Sequence, residues 1–175
     1  VKVENGKIID RFSTFVNPEI PIPFRIEKLT SINDEMVIDA PKIEEVLPKF
    51  MEFCKDAVMV AHNSDFDMSF IEANCKRQNL ECDFTVIDTV AMSRYLIIGL
   101  GRYKLDNVAK ALGIVLDHHH RAVDDAECTA LIFLKLCKML EGKGIDNLDE
   151  LNRQGKQSKN LIDKLPAHHA IILVK

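Results

Sequence analysis

The chain has 175 residues, 47% hydrophobic and 29% charged, which suits one globular domain with its own core and excludes a disordered polymer. No apolar run approaches the ~18 residues needed to cross a bilayer, so no membrane association is expected. The formal net charge of −4 speaks against a non-specific nucleic-acid binder, though not against an enzyme that grips a few nucleotides and neutralises phosphate with metal ions.

Residue 1 is Val, and Val1-Lys2-Val3 already alternates like a strand. The chain is therefore expected to open inside a structural element and to be a piece of something longer. Residues 1–16 read as a hairpin around Asn5-Gly6, the pair preferred in a two-residue type I′ turn. Its second run extends from Ile8 to Val16, and Asn17-Pro18, Pro21 and Pro23 end it in an extended linker. Residues 25–38 suit short helical turns. Residues 41–54 suit a helix, with Pro41 in its first turn and Ile43, Val46, Leu47, Phe50 and Phe53 on one face. Pro48 predicts a kink there, or a later start.

Ala57-Val58-Met59-Val60-Ala61 is a continuous apolar run, as in a strand covered on both faces. His62-Asn63-Ser64-Asp65 turns into a helix over 66–78. A short strand over 84–87 precedes Asp88-Thr89, the expected N-cap of a helix over 90–96. The loop 97–103 holds two glycines, and a helix over 105–112 stops at Gly113. After the polar loop 118–121 comes the longest helix, 122–140, with Ala126, Ala130, Phe133 and Cys137 near one face. Beyond Gly142-Lys143-Gly144 the composition is polar to about Lys164, and 168–174 reads as a fresh strand. Strands alternating with helices predict an α/β layer fold around a mixed sheet. Cys54, Cys75, Cys82, Cys128 and Cys137 are odd in number and form no C-x-x-C pair, which points to reduced thiols packed in a cytoplasmic protein.

Two clusters carry chemistry. The first runs from Ala61 to Asp67, where a buried strand gives way to a helix, the place where α/β sheets build their sites. Asp67 stands between Phe66 and Met68, whose apolar side chains are expected to anchor the helix. An equally simple reading makes Asp65 or Asp67 a helix cap. The second cluster is His120-Arg121-Ala122-Val123-Asp124-Asp125. A helix start there aims Asp125 into a cleft while the loop folds His120 over it, and imidazole suits proton transfer near neutral pH. The plainer alternative is a solvated His-rich turn before an acidic helix start. Consecutive His118, His119 and His120 do not readily converge on one tetrahedral ion, so no zinc site is expected.

Taken together, H-N-x-x-F-D followed by H-x-A-x-x-D resembles the DEDDh, or DnaQ-like, family of 3′→5′ exonucleases. Val60-Ala61-His62-Asn63-Ser64-Asp65-Phe66-Asp67-Met68 is similar to the second motif of the exonuclease segment of the PolC-type DNA polymerase III group, and His119 to Asp125 to its third. Val86-Ile87-Asp88-Thr89 fits the strand and helix start between them, and the resemblance covers about residues 1–150. Asp149 to Asn152, then Pro166 to Val174, is similar to the stretch where that group leaves its exonuclease and re-enters its PHP domain.

The resemblance implies a ribonuclease H-like mixed sheet flanked by helices and truncated at its N-terminus. Residues 1–145 would be the exonuclease domain without its first strand. Residues 146–175 would be a polar linker and the start of a following, PHP-like domain. It implies two divalent metal ions, Mg²⁺ or Mn²⁺, among four carboxylates; they bind the scissile phosphate, make hydroxide from water and stabilise the departing 3′ oxygen. Asp67 and Asp125 would be metal ligands and His120 the general base, with Thr30, Asn63 and Arg121 on the substrate side. The implied partners are a single-stranded DNA 3′ end, the rest of the polymerase polypeptide and the replisome.

The sequence departs from the family twice. The other two carboxylates belong to a D-x-E motif on the family's first strand, expected before Val1. Asp125-Ala126-Glu127 has the spelling but lies on a predicted helix, where residues two apart diverge, and Asp34-Glu35 are adjacent. The family's Thr-Gly-Ile is here Thr30-Ser31-Ile32. Two other readings stay open: an inactive exonuclease fold that docks partners, and an RNA exonuclease of the same fold.

Overall fold

The computed structural model describes residues 1–115, 122–145, 147 and the strand 169–173. Its sheet has the order β2-β1-β5-β3-β4, with β1 at Lys2–Glu4, β2 at Lys7–Asp10, β3 at Ala57–Ala61, β4 at Val86–Asp88 and β5 at His169–Leu173. The helices are α1 (Phe24–Thr30), α2 (Asp34–Val37), α3 (Ile43–Phe53), α4 (Ser64–Gln78), α5 (Thr89–Leu96), α6 (Leu105–Ala111) and α7 (Ala122–Glu141).

The hairpin forms as its turn chemistry dictates. Glu4 pairs with Lys7 across Asn5-Gly6, both at positive φ, 50° and 75°. β2 stops at Asp10 rather than continuing to Val16. It is a sheet edge, and its pairing with β1 ends where Lys2 meets Asp10, so later residues have no strand to pair with. Phe12 turns instead to the rings of Phe50 and Phe53 on α3, at 5.8 and 5.5 Å.

β3 is buried along its whole length. Its alternation divides the core. Val58 and Val60 join the cluster with Met92 of α5, Val108 of α6, and Ala126 and Ala130 of α7. Ala57, Met59 and Ala61 face the other way, with Cys54 and Met68. Helices therefore cover both faces, which is why the run reads as continuously apolar. β4 lies parallel to β3 through Val60↔Ile87 and Ala61↔Asp88, ending one residue beyond the predicted strand.

β5 is parallel to β3 and antiparallel to β1. The sequence sets this segment apart as the opening of another domain; here it pairs in the middle of the sheet. α3 runs through Pro48 from Ile43 to Phe53 and starts two residues later than expected, so Pro41 lies ahead of its Lys42 N-cap rather than in its first turn. The missing N–H at Pro48 removes one bond in a helix held by the burial of Val46 and Leu47. α4 opens two residues earlier than its apolar pattern predicts. Along α7 the buried stripe runs through Ala126, Thr129, Ala130, Leu136 and Leu140, with Phe133 and Cys137 half-buried at its margin.

Among the described residues, two hydroxyls in this core lack partners: Ser93 Oγ on α5 and Thr129 Oγ1 on α7, both residues fully buried. A buried hydroxyl without a bond costs about 1–3 kcal/mol. Thr129→Val, of similar shape, is expected to leave stability unchanged or raise it by about 1 kcal/mol, read as the urea midpoint. A clear loss of stability would show that the hydroxyl has a partner.

Candidate active site

The polar residues that end β3 are held by a network from the neighbouring strand. After Ala61 the chain turns through His62 and Asn63, and Asn63 sits in the left-handed region at φ 75°, ψ 60°. Asn tolerates that conformation better than most residues. Neither Asp65 nor Asp67 caps α4, and Asn63 makes no side-chain cap bond. The cap comes from Asp88, level with Ala61 on β4. Its Oδ2 accepts from Ser64 N at 3.2 Å and Ser64 Oγ at 3.4 Å, and its Oδ1 from Asn63 N at 3.3 Å. Oδ1 also accepts from Val90 N at 2.7 Å and Ala91 N at 3.4 Å, so the same carboxylate starts α5.

Thr89 completes the network. Its Oγ1 lies 3.2 Å from Ala61 O and 2.9 Å from His62 Nδ1, within hydrogen-bonding distance of both. On the far side of the ring, Nε2 lies 2.9 Å from Tyr103 O. A carbonyl only accepts, so Nε2 carries the proton and ties the loop after α5 to the exit of β3. That loop is closed by Tyr103, whose hydroxyl donates to Ile97 O at 2.6 Å.

Asp67 lies half-buried in the first turn of α4. Of its two apolar neighbours only Met68 anchors the helix, at 7% exposed; Phe66 is 45% exposed and its ring meets that of Phe70 at 5.1 Å. The expectation that both would anchor is corrected on this point: residues two apart on a helix lie about 200° apart, so only one of them faces the sheet.

Asp125 lies half-buried in the first turn of α7. The register Lys2↔Asp10, Lys2↔Ile171 and Met59↔Ile171 puts Asp10 level with Met59, the middle residue of β3. Arg11, the next residue, bonds Glu127 through Nε at 2.5 Å. That ion pair ties the first turns of α7 to the end of β2. Glu127 itself turns to Arg11, so Asp125 and Glu127 diverge as helix geometry requires.

Thr30 Oγ1 donates to Ile26 O at 2.8 Å and accepts from Ile32 N at 3.2 Å, which closes the end of α1. Ser31 follows at φ 58°, ψ 22°, a left-handed cap position that glycine fills without strain. Asp34 is spent on the backbone: its Oδ1 accepts from Ile22 N at 2.8 Å. His120 and Arg121, like the neighbouring His118 and His119, lie outside the described residues.

Burial pushes the Cys54 thiol up to about 12, Cys82 to about 12, and Cys128 and Cys137 to about 11. Asp67 and Asp125 offer the hard oxygen donors that Mg²⁺ or Mn²⁺ takes. Among the described residues, however, no three His, Cys, Asp or Glu gather closely enough to hold an ion. β5, beside β3, is His169-Ala170-Ile171-Ile172-Leu173 and brings no carboxylate. The described residues thus do not complete a metal cage. No helix among them is long and apolar enough to cross a membrane.

Residues 1–133 match the family model described as Exonuclease. A DNA polymerase III PolC-type of Caldanaerobacter subterraneus subsp. tengcongensis is 51% identical over 175 residues, covering 100% of this chain and 12% of that protein. That of Clostridium perfringens is 49% identical over 177 residues, with 100% and 12% covered. The chain thus spans about an eighth of the length of these curated relatives. Among solved structures, exonuclease X in complex with 5′ overhanging duplex DNA superposes with a TM-score of 0.62 at 29% identity, over 78% of each chain. The nuclease domain of 3′hExo, a DEDDh family member bound to rAMP, gives a TM-score of 0.65 at 22% identity, over 80% of this chain and 76% of that one, and is similar in fold.

Two outcomes follow from this geometry. Ser31→Gly is expected to stabilise the chain by up to about 1 kcal/mol in urea unfolding, because the strain of a left-handed non-glycine residue is relieved. Destabilisation would mean that the Ser31 side chain contributes more than its backbone costs. Thiol groups raised from 9 to about 12 stay protonated in the folded chain, so Cys54 is expected to be nearly inert to a disulfide reagent at pH 8 and reactive in denaturant. The contribution of its buried thiol to stability is complete below pH 9 and is lost as pH rises towards 12.

Proposed function

The chain belongs to the exonuclease family, and from that premise we propose that it works as the 3′→5′ exonuclease part of a PolC-type DNA polymerase III, hydrolysing single-stranded DNA 3′ ends to nucleoside monophosphates during proofreading. The observation that supports this reading is the match of residues 1–133 to the exonuclease family, with Asp67 and Asp125 in the first turns of two different helices.

The family implies dependence on divalent metal ions. In the proposed site Asp67 and Asp125 are ligands of two such ions, Mg²⁺ or Mn²⁺, which when bound activate water and stabilise the charge on the departing oxygen. The chain's own contributions are positional and protonic. α4 and α7 hold their aspartates on separate helices, so the two carboxylates converge from different directions. His120 takes the proton of the attacking water, a task suited to a side chain that titrates near neutral pH. Arg121 offers a fork to a phosphate oxygen, and Thr30 and Asn63 flank the terminal nucleotide.

The alternatives raised by the sequence are not favoured. An inactive docking module gives no reason to keep both aspartates in their motifs, and relatives at 40–51% identity are named as DNA polymerases rather than ribonucleases. Residues 1–145 form the nuclease part in this reading, and 146–175 the passage to the next domain of the same cytoplasmic polypeptide. The partners are then the DNA 3′ end, the remaining polymerase domains and the replisome.

In the full-length polymerase polypeptide, Asp67→Ala and Asp125→Ala are each expected to bring Mg²⁺-dependent release of nucleotides from a labelled 3′ end close to background. His120→Ala is expected to slow it by about 10²–10⁴-fold. Wild-type rates in either aspartate variant would remove the reading.

A further inference from the structure

The whole turn that delivers Asp67 is bonded to one dipeptide on the neighbouring strand. Asp88 accepts from the backbone of Asn63 and Ser64 and from the Ser64 hydroxyl, while Thr89 bonds the Ala61 carbonyl and the His62 ring. The sequence assigns Asp88 only the cap of α5, which it also is. We propose that Asp88 and Thr89 are positioning residues of the nuclease reaction, a clamp that fixes residues 61–64 and thereby the direction in which Asp67 leaves α4. The inference rests on the exonuclease reading above and adds to it two residues that touch neither substrate nor reacting atoms.

The physical argument has three steps. The first amides of a helix have no partner within it, and α4 takes its cap from outside rather than from its own Asn63. Asn63 is in a left-handed conformation that persists only where the surroundings enforce it, and the bond from its N–H to Asp88 is part of that enforcement. Asp67 sits one helical turn from Ser64, so a tilt of the first turn passes directly to its carboxylate. Because the same oxygen of Asp88 also starts α5, the two helices are referred to one point on the sheet. His62 extends that reference to Tyr103, so the loop after α5 is fixed with them.

A role confined to the fold would lower stability and leave the folded enzyme's turnover intact. A positioning role lowers kcat in molecules that are folded. The test uses the full-length polypeptide with Asp88→Ala, Asp88→Asn, Thr89→Val and Thr89→Ser, assayed on a labelled single-stranded DNA at a temperature where circular dichroism shows each variant folded. Asp88→Ala and Thr89→Val are expected to reduce kcat about 10–100-fold with KM changed less than about twofold. Asp88→Asn, which keeps an acceptor but opposes an NH₂ to the donors, should fall between wild type and alanine. Thr89→Ser, which keeps the hydroxyl, should recover most of what Thr89→Val loses.

Hydrogen exchange supplies the readout that does not depend on turnover: the Asn63 and Ser64 amides should exchange about tenfold faster or more in Asp88→Ala. Wild-type kcat in folded Asp88→Ala, or unchanged exchange at both amides, overturns the proposal. If Asp88→Ala fails to fold, the Thr89 pair decides, and equal kcat in Thr89→Val and Thr89→Ser overturns it. Asp67→Ala run alongside separates the two levels: activity kept there sinks the exonuclease assignment, while activity lost there and kept in folded Asp88→Ala sinks the clamp alone.

Discussion

Everything at the site depends on β3 being covered on both faces. Five consecutive apolar residues, Ala57–Ala61, have no side left for water, so the strand can hold no chemistry itself. Polar residues must wait until the sheet ends, and the next ones, His62 and Asn63, are where the hydrogen bonds begin. The helices that cover the two faces then supply the aspartates from opposite layers, α4 from the side of Met59 and Met68, α7 from the side of Val60 and Ala126. Residues from opposite layers can approach one another only beyond the end of the buried strand.

Much of this was legible in the chain itself. The apolar run of β3, the Asn5-Gly6 turn, the Asp88 start of α5 and the Gly113 stop of α6 are local signals, each decided by residues within a few positions of one another. What was not legible depended on distant partners. The extent of β2 was set by where β1 ran out, not by the β-rich composition to Val16. The second duty of Asp88 could not be read because its partners lie 24 and 25 residues away, across a helix whose length has to be known first. The Phe66–Met68 pair failed for a simpler reason: both are apolar, but a helix turns one of them to solvent.

The position of β5 was the least legible feature and bears most on the site. A strand there must pair on both sides, parallel to β3 and antiparallel to β1. His169–Leu173 satisfies both pairings with a sequence that carries no acid. Backbone pairing is indifferent to side chains, so the slot selects for direction and length rather than for chemistry. Stability of the sheet and completeness of the site are therefore separate properties of this fold: the strand that closes the sheet need not be one that brings carboxylates.

The charge of the chain carries a related consequence. With a net charge of −4, the chain as a whole repels a phosphate backbone unless positive charge is supplied. Asp88 is removed from that account because backbone donors from two helix starts surround it, each carrying the partial positive charge of a helix N-terminus. Asp67 stands one turn further along the same helix. The charge of Asp88 is consumed in holding the turn from which that helix starts. A domain with this charge balance gains little affinity for a polyanion from its own surface, and any such affinity has to come from bound cations or from added positive charge.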